Sequence, residues 1–121
     1  MRIYLAGPMR GLPEFNFPAF HAAAKTLREL GHEVFNPAER DEADFGKVSV
    51  PSGDENELAD KLSIHALALR RKCFGADTAW ICTFAEAIAL LPGWKKSKGA
   101  QAEKALGEAL GLTILYLGKG D

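Results

Sequence analysis

"AIALLPGWKKSKGAQAEKALGEALGLTILYL" (Ala87 to Leu117) contains, in order, an unbroken apolar run, a Pro-Gly turn, a helical pattern and a second apolar run. "AIALL" has the composition of a strand buried on both faces. Pro92-Gly93 stops that strand, and Ser97 stands where a helix cap belongs. Gly111 closes the helix, and "LTILYL" reads as a last strand. Strand, helix, strand in this order is the unit from which parallel sheets are built.

The N-terminal half repeats the pattern. "RIYLA" is a short β-branched and aromatic run ending at Gly7-Pro8, a first strand followed by a turn. Asn16 is placed to cap a helix running to about Leu30, with Phe20, Ala23, Leu27 and Leu30 on one stripe and Gly31 closing it. "HEVFNP" reads as a second strand stopped by Pro37. Residues 38–58 are polar, punctuated by Pro51-Ser52-Gly53, and read as a mobile loop or lid. A helical pattern resumes near Glu57 and runs to about Phe84, with a break expected near Gly75. The alternation predicts one domain over residues 1–121, a three-layer α/β fold with a flavodoxin- or Rossmann-like parallel sheet of four to five strands.

Composition narrows the function classes. Fifteen basic residues against sixteen acidic ones leave no electrostatic footprint for a nucleic-acid polymer. An apolar fraction of 47% fits an ordinary globular domain. No apolar run reaches membrane-spanning length, and "MRIYLAGPMRG" is too short and interrupted for a signal peptide. Cys73 and Cys82 on one helix would stand about 13 Å apart on opposite faces, beyond disulfide reach. Reduced thiols and a cytoplasmic setting are the expectation, with no metal-ligand pattern, no metal and no cofactor.

Ligands of parallel α/β sheets bind beyond the carboxyl ends of the strands. Two glycine-bearing, basic loops fall at that edge: "GPMRG" (Gly7, Pro8, Met9, Arg10, Gly11) and "LPGWKKSKG", which holds Gly93, Trp94, Ser97 and Gly99. A helix start capped by Ser97, with Gly99 in its first turn, favours an anion such as phosphate; a plain serine cap fits the same residues. Glu103 lies six residues on, among Gly99, Ala100, Leu106 and Gly107, whereas Glu108 has Lys104 at ion-pair spacing. Asp77 repeats the anomaly, with Cys73, Phe74, Trp80 and Ile81 at its four helical neighbour positions. A single such carboxylate is most simply a residue reaching solvent at a kink. Two on separate helices point toward a shared cleft. Tyr4 reads as a packed strand tyrosine at the ligand edge, Arg10 as an anion binder or an exposed turn residue, and Trp94 as a base-stacking ring or a loop plug.

"YLAGPMRGLPEFNFPAFHAAAKTLRELGHEVFNPAERD", "ADTAWIC" and "AIALLPGWKKSKGAQAE…LGL" together resemble the nucleoside 2-deoxyribosyltransferase-like superfamily, in particular a branch common in phages and prophages. The resemblance covers both ends of the chain and leaves residues 40–65 unaligned. It implies N-glycosidic bond cleavage of a deoxynucleoside or its 5′-monophosphate, by hydrolysis or deoxyribosyl transfer. The nucleophile it implies is Glu103, with Asp77 as the acid for the departing base and Tyr4 positioning the nucleophile. The Gly7–Gly11 loop and Ser97 would hold the phosphate. It also implies a small-molecule nucleotide or nucleoside as partner, and a homodimer or larger assembly. Relatives usually carry an aspartate where Glu86 stands, which reads as a structural cap here. The transferases carry a C-terminal extension, whereas this sequence stops at Asp121, four residues after its last strand, which weakens a transferase assignment. Two other readings compete: a ribonucleotide phosphoribohydrolase, loosely matched by "LPGW…GAQAE", and a non-catalytic nucleotide-binding sponge using the same pocket.

Overall fold

The computed structural model describes residues 1–46 and 48–118. Four strands, β1 (Arg2–Ala6), β2 (Glu33–Phe35), β3 (Ala87–Leu90) and β4 (Thr113–Tyr116), form one parallel sheet in the order β2-β1-β3-β4. Helices lie on both sides, giving the three-layer α/β arrangement that the sequence predicts. α1 (Phe17–Glu29) connects β1 to β2, and α5 (Lys98–Ala109) connects β3 to β4. Between β2 and β3 the chain makes α2 (Pro37–Phe45), α3 (Glu55–Lys61) and α4 (Ala66–Phe84).

The two central strands are apolar because both their faces are covered. Every residue of β3 is buried, as are Ile3 to Ala6 of β1. Alternation then sorts the side chains. Ile3, Leu5, Ala87 and Ala89 pack with Phe20, Ala24 and Leu27 of α1. Tyr4, Ala6, Ile88 and Leu90 pack with Ile81 of α4 and Ala100 of α5. Each large side chain fully buried here contributes roughly 1.5–3 kcal/mol. α5 comes close to the sheet because it carries Gly107, where a Cβ would stand 2.5 Å from Ile88 Cγ1.

Five local expectations need correction. Residues 38–58 are not a continuous loop, because α2 and the start of α3 lie within them. The Asn36-Pro37 pair, expected only to stop a strand, also starts a helix. Asn36 Oδ1 accepts from Ala38 N at 3.0 Å, Pro37 occupies the first turn, and Arg40 and Asp44 pair one turn apart at 3.0 Å. The helical break falls at Leu62–His65, where Ser63 adopts φ 56° and His65 caps α4; Gly75 lies inside a continuous helix. Asn16 is itself left-handed (φ 60°) and caps nothing with its side chain, donating instead to Pro8 O at 3.0 Å. The buried stripe of α1 is Phe20, Ala24 and Leu27, while Leu30 lies outside the helix and is exposed.

Candidate active site

β1 feeds β2 on one side, and the next crossover places β3 on the other. The carboxyl ends of β1 and β3 therefore flank the point where the strand order reverses, the usual ligand position in such sheets. The loops leaving these strands are interlocked. A Cβ on Gly7 would stand 2.8 Å from Leu91 Cβ, and one on Gly93 (φ 90°) would stand 3.1 Å from Pro8 Cγ. Beside them opens a cavity of about 420 Å³.

Tyr4, Asp77 and Glu103 all line this cavity. Tyr4 is 1% exposed, Glu103 6% and Asp77 9%, so all three are removed from bulk water. Strand alternation turns Tyr4 toward the α4–α5 face, where its ring stacks on Phe35 at 5.5 Å. Its hydroxyl donates to Glu103 Oε2 in a short hydrogen bond. Asp77 lies close enough to take part in the same phenol's electrostatics. One oxygen of Asp77, Oδ1, is buried without a hydrogen-bond partner among the described residues. A buried polar atom left this way costs free energy, and a ligand can satisfy it.

Burial sets the protonation of these groups. It pushes the Glu103 carboxyl up to about 8, against a lowering by the Tyr4 hydrogen bond. Asp77 is raised to about 6 by the same desolvation, again opposed by Tyr4. Tyr4 itself is held well above its ordinary value by burial and by the two carboxylates. Two carboxyl groups in different surroundings, bridged electrostatically by one phenol, are an arrangement suited to acid and base work.

A third carboxyl joins them. Asp41 of α2 lines the cavity and is raised to about 7 by burial and by the nearby Asp77. Cys73, one helical turn before Asp77, is pushed up to about 12 by desolvation and by Asp41, so it is a thiol and not a nucleophilic thiolate. Phe15, Phe17, Phe45, Phe74, Leu58 and Leu69 supply much of the remaining wall. Among the described residues no group of three or more His, Cys, Asp or Glu is arranged to hold a metal ion, and no helix is long and apolar enough to cross a membrane.

Of the residues singled out in the sequence, Gly7, Pro8, Met9, Arg10, Ser97 and Gly99 line the cavity together with Tyr4, Asp77 and Glu103. Ser97 caps α5 by accepting from Ala100 N at 3.1 Å. Gly11, Gly93 and Trp94 do not line it. Gly11 donates its N–H to Gly53 O at 2.8 Å, and Gly93 is the close-approach point against Pro8. Trp94 acts as the loop plug: its ring packs near Tyr116 at 5.9 Å, with the Lys104 ammonium 5.4 Å from its centroid. Glu86 accepts from Arg2 N at 2.8 Å, a structural tie between α4–β3 and β1.

Asp41 and Glu55 line the cavity with no signal at their own positions marking them, and Arg70, expected on a solvated helix face, lines it too. Asp41 was hidden in a segment read as loop. The one available signal was Asn36-Pro37 as a helix start, which would have set Asp41 on a helix.

The chain matches the family model described as a domain of unknown function, DUF4406, over residues 1–116, and it belongs to that family. No curated protein and no solved structure matches it.

Proposed function

We propose that this DUF4406 chain cleaves the N-glycosidic bond of a deoxynucleoside or deoxynucleoside 5′-monophosphate, with water or a second base as acceptor. The observation that carries the reading is the Tyr4 hydroxyl donating to Glu103 in a cavity that Asp77 shares. In the first step the Glu103 carboxylate attacks C1′. The C1′–N bond breaks as Asp77 gives its proton to the departing base, leaving a glycosyl ester on Glu103. In the second step Asp77 takes a proton from water, which attacks C1′ and releases Glu103. Covalent capture of the sugar splits a hard displacement into two easier ones.

The proton count supports this scheme. Between about pH 6 and pH 8 the Glu103–Asp77 pair holds one proton, the number the first step requires. Burial raises both carboxyls, so the proton is shared within the pair. Reaction needs it on Asp77, and Tyr4, bonded to Glu103 and favouring the ionised form of either carboxyl, assists the exchange. A substrate that further desolvates Asp77 would drive it. The rate should therefore be bell-shaped, falling below about 6 for want of a nucleophile and above about 8 for want of an acid. The assay is incubation with a panel of deoxynucleosides and their monophosphates, with free base followed by chromatography. No release from any of them would sink the reading.

The unpartnered Asp77 Oδ1, which a bound ligand can satisfy without turnover, also favours a second reading, a nucleotide-binding protein. Tight binding with the ligand recovered intact would select it.

A further inference from the structure

Glu55 opens α3 at the edge of the cavity and takes arginines from two other elements. Arg70 of α4 donates to Oε1 through Nη2 at 2.6 Å and through Nε at 3.1 Å. Arg10, in the loop after β1, brings its Nε to 3.7 Å from Oε2. The Glu55 side chain is only 16% exposed, against 46% for Arg10 and 48% for Arg70. All three line the cavity. A common surface ion pair joins two exposed side chains and contributes little. Here one sheltered carboxylate is flanked by two cations, the setting an anionic ligand would occupy.

We infer that Arg10 and Arg70 form an anion subsite of the cavity, held in the free protein by Glu55 as an internal substitute for a phosphate monoester. Three observations carry this beyond a brace between loops. Lys96 and Lys98 also line the cavity, so Glu55 neutralises only part of the basic charge around it. Asp41, Asp77 and Glu103 also line the cavity, and these acids would repel a phosphate held beside them. The anionic end of a ligand therefore belongs with the arginines. A phosphate monoester brings more charge and more acceptor oxygens than a carboxylate, so it competes well for guanidinium donors. α3 also keeps its start when Glu55 lets go, because Asp54 accepts from Asn56 N at 2.9 Å and Ser52 Oγ donates to Glu57 at 2.9 Å.

The ligand's identity as a nucleotide rests on the function proposed above; the anion subsite does not. Inorganic phosphate, a deoxynucleoside 5′-monophosphate and the matching deoxynucleoside are titrated calorimetrically into the wild-type chain, Glu55→Gln and Arg70→Gln. Glu55→Gln is expected to bind both phosphate probes about tenfold tighter, and Arg70→Gln to bind them about tenfold weaker, within the range of site-to-site couplings. The nucleoside should move by less than about twofold in either variant, since it lacks the anion. Unchanged or weaker phosphate binding by a folded Glu55→Gln would overturn the inference. Should that variant not fold, wild-type crystals soaked in phosphate decide. An ion between Arg10 and Arg70 with Glu55 released supports the subsite, and an intact Glu55–Arg70 fork with phosphate bound elsewhere overturns it. Phosphate binding without base release would sink the glycosidic reading and leave this one standing.

Discussion

The cavity has two walls made by different means. One is β1, the loop after it and α5, where Tyr4 and Glu103 are fixed by strand register and by a helix pressed onto the sheet through Gly107. The other is the long crossover from β2 to β3, where α2, α3 and the first half of α4 bring Asp41, Phe45, Glu55 and Arg70 to the same space. The first wall is anchored by the buried central strands of the sheet. The second combines a few buried apolar side chains, Ala38, Val50, Ala59 and Leu69, with partly exposed ion pairs such as Arg70–Glu55. Asp77 belongs to both, since it lies on α4 between buried Leu69 and the Trp80–Ile81 contact with the sheet. Chemistry on such a scaffold is best placed on the rigid side and selectivity on the adaptable one.

Substitutions can break that division. Glu103→Ala removes the proposed nucleophile from the rigid wall and should cut base release at least about a thousandfold. Free base measured by chromatography checks this, and wild-type turnover would end the proposed mechanism. Asp77→Asn should cost about a hundredfold, because general acid catalysis is commonly worth that much, and should cost less on substrates with better leaving groups. Equal losses on good and poor leaving groups would remove Asp77 from the acid role.

Stability should vary with pH in a direction set by burial. Glu103, Asp77 and Asp41 all have carboxyls raised in the folded state, from 4.5 to about 8, from 3.8 to about 6 and from 3.8 to about 7. Over those ranges the folded chain binds more protons than the unfolded one, so stability falls as pH rises. Melting should therefore weaken by a few kcal/mol between about pH 4 and pH 8. Glu103→Gln should flatten the slope and be more stable than wild type at pH 8. A melting temperature that climbs across this range would contradict the proposed burial of the acids.

Two glycines give the smallest and most local contrast. Gly107→Ala places a methyl 2.5 Å from Ile88 Cγ1 and should destabilise by about 1–3 kcal/mol. Gly75→Ala, in the middle of α4 with open space around its Cβ position, should stabilise by roughly 0.5–1 kcal/mol. Denaturant unfolding of both variants measures the difference. Similar losses at the two positions would show that α4 is packed as tightly as α5.

The two walls also differ in how much of them can be read from sequence. Strand patterning fixes its own faces, so "RIYLA" and "AIALL" disclose the sheet, and spacing from Ser97 discloses Glu103. Asp77 was conspicuous because apolar residues surround it along its own helix. Asp41 and Glu55 have no such signature. Each sits among polar neighbours in sequence, and only the packing of α2 and α3 onto distant elements brings them to the cavity. Trp94 misleads for the opposite reason: an aromatic beside a glycine loop suits a base stack, but the residues that enclose it, Tyr116 and Lys104, come from β4 and α5.

The interlocked loops at Gly7–Leu91 and Pro8–Gly93 have a bearing on how this scaffold can diversify. With the turns after β1 and β3 wedged into each other, neither can lengthen without displacing its neighbour. Room for insertions and new side chains is left almost wholly to the segment between β2 and β3. Descendants of this chain would then vary what the cavity accepts far more readily than the Tyr4–Glu103 pair that lines it.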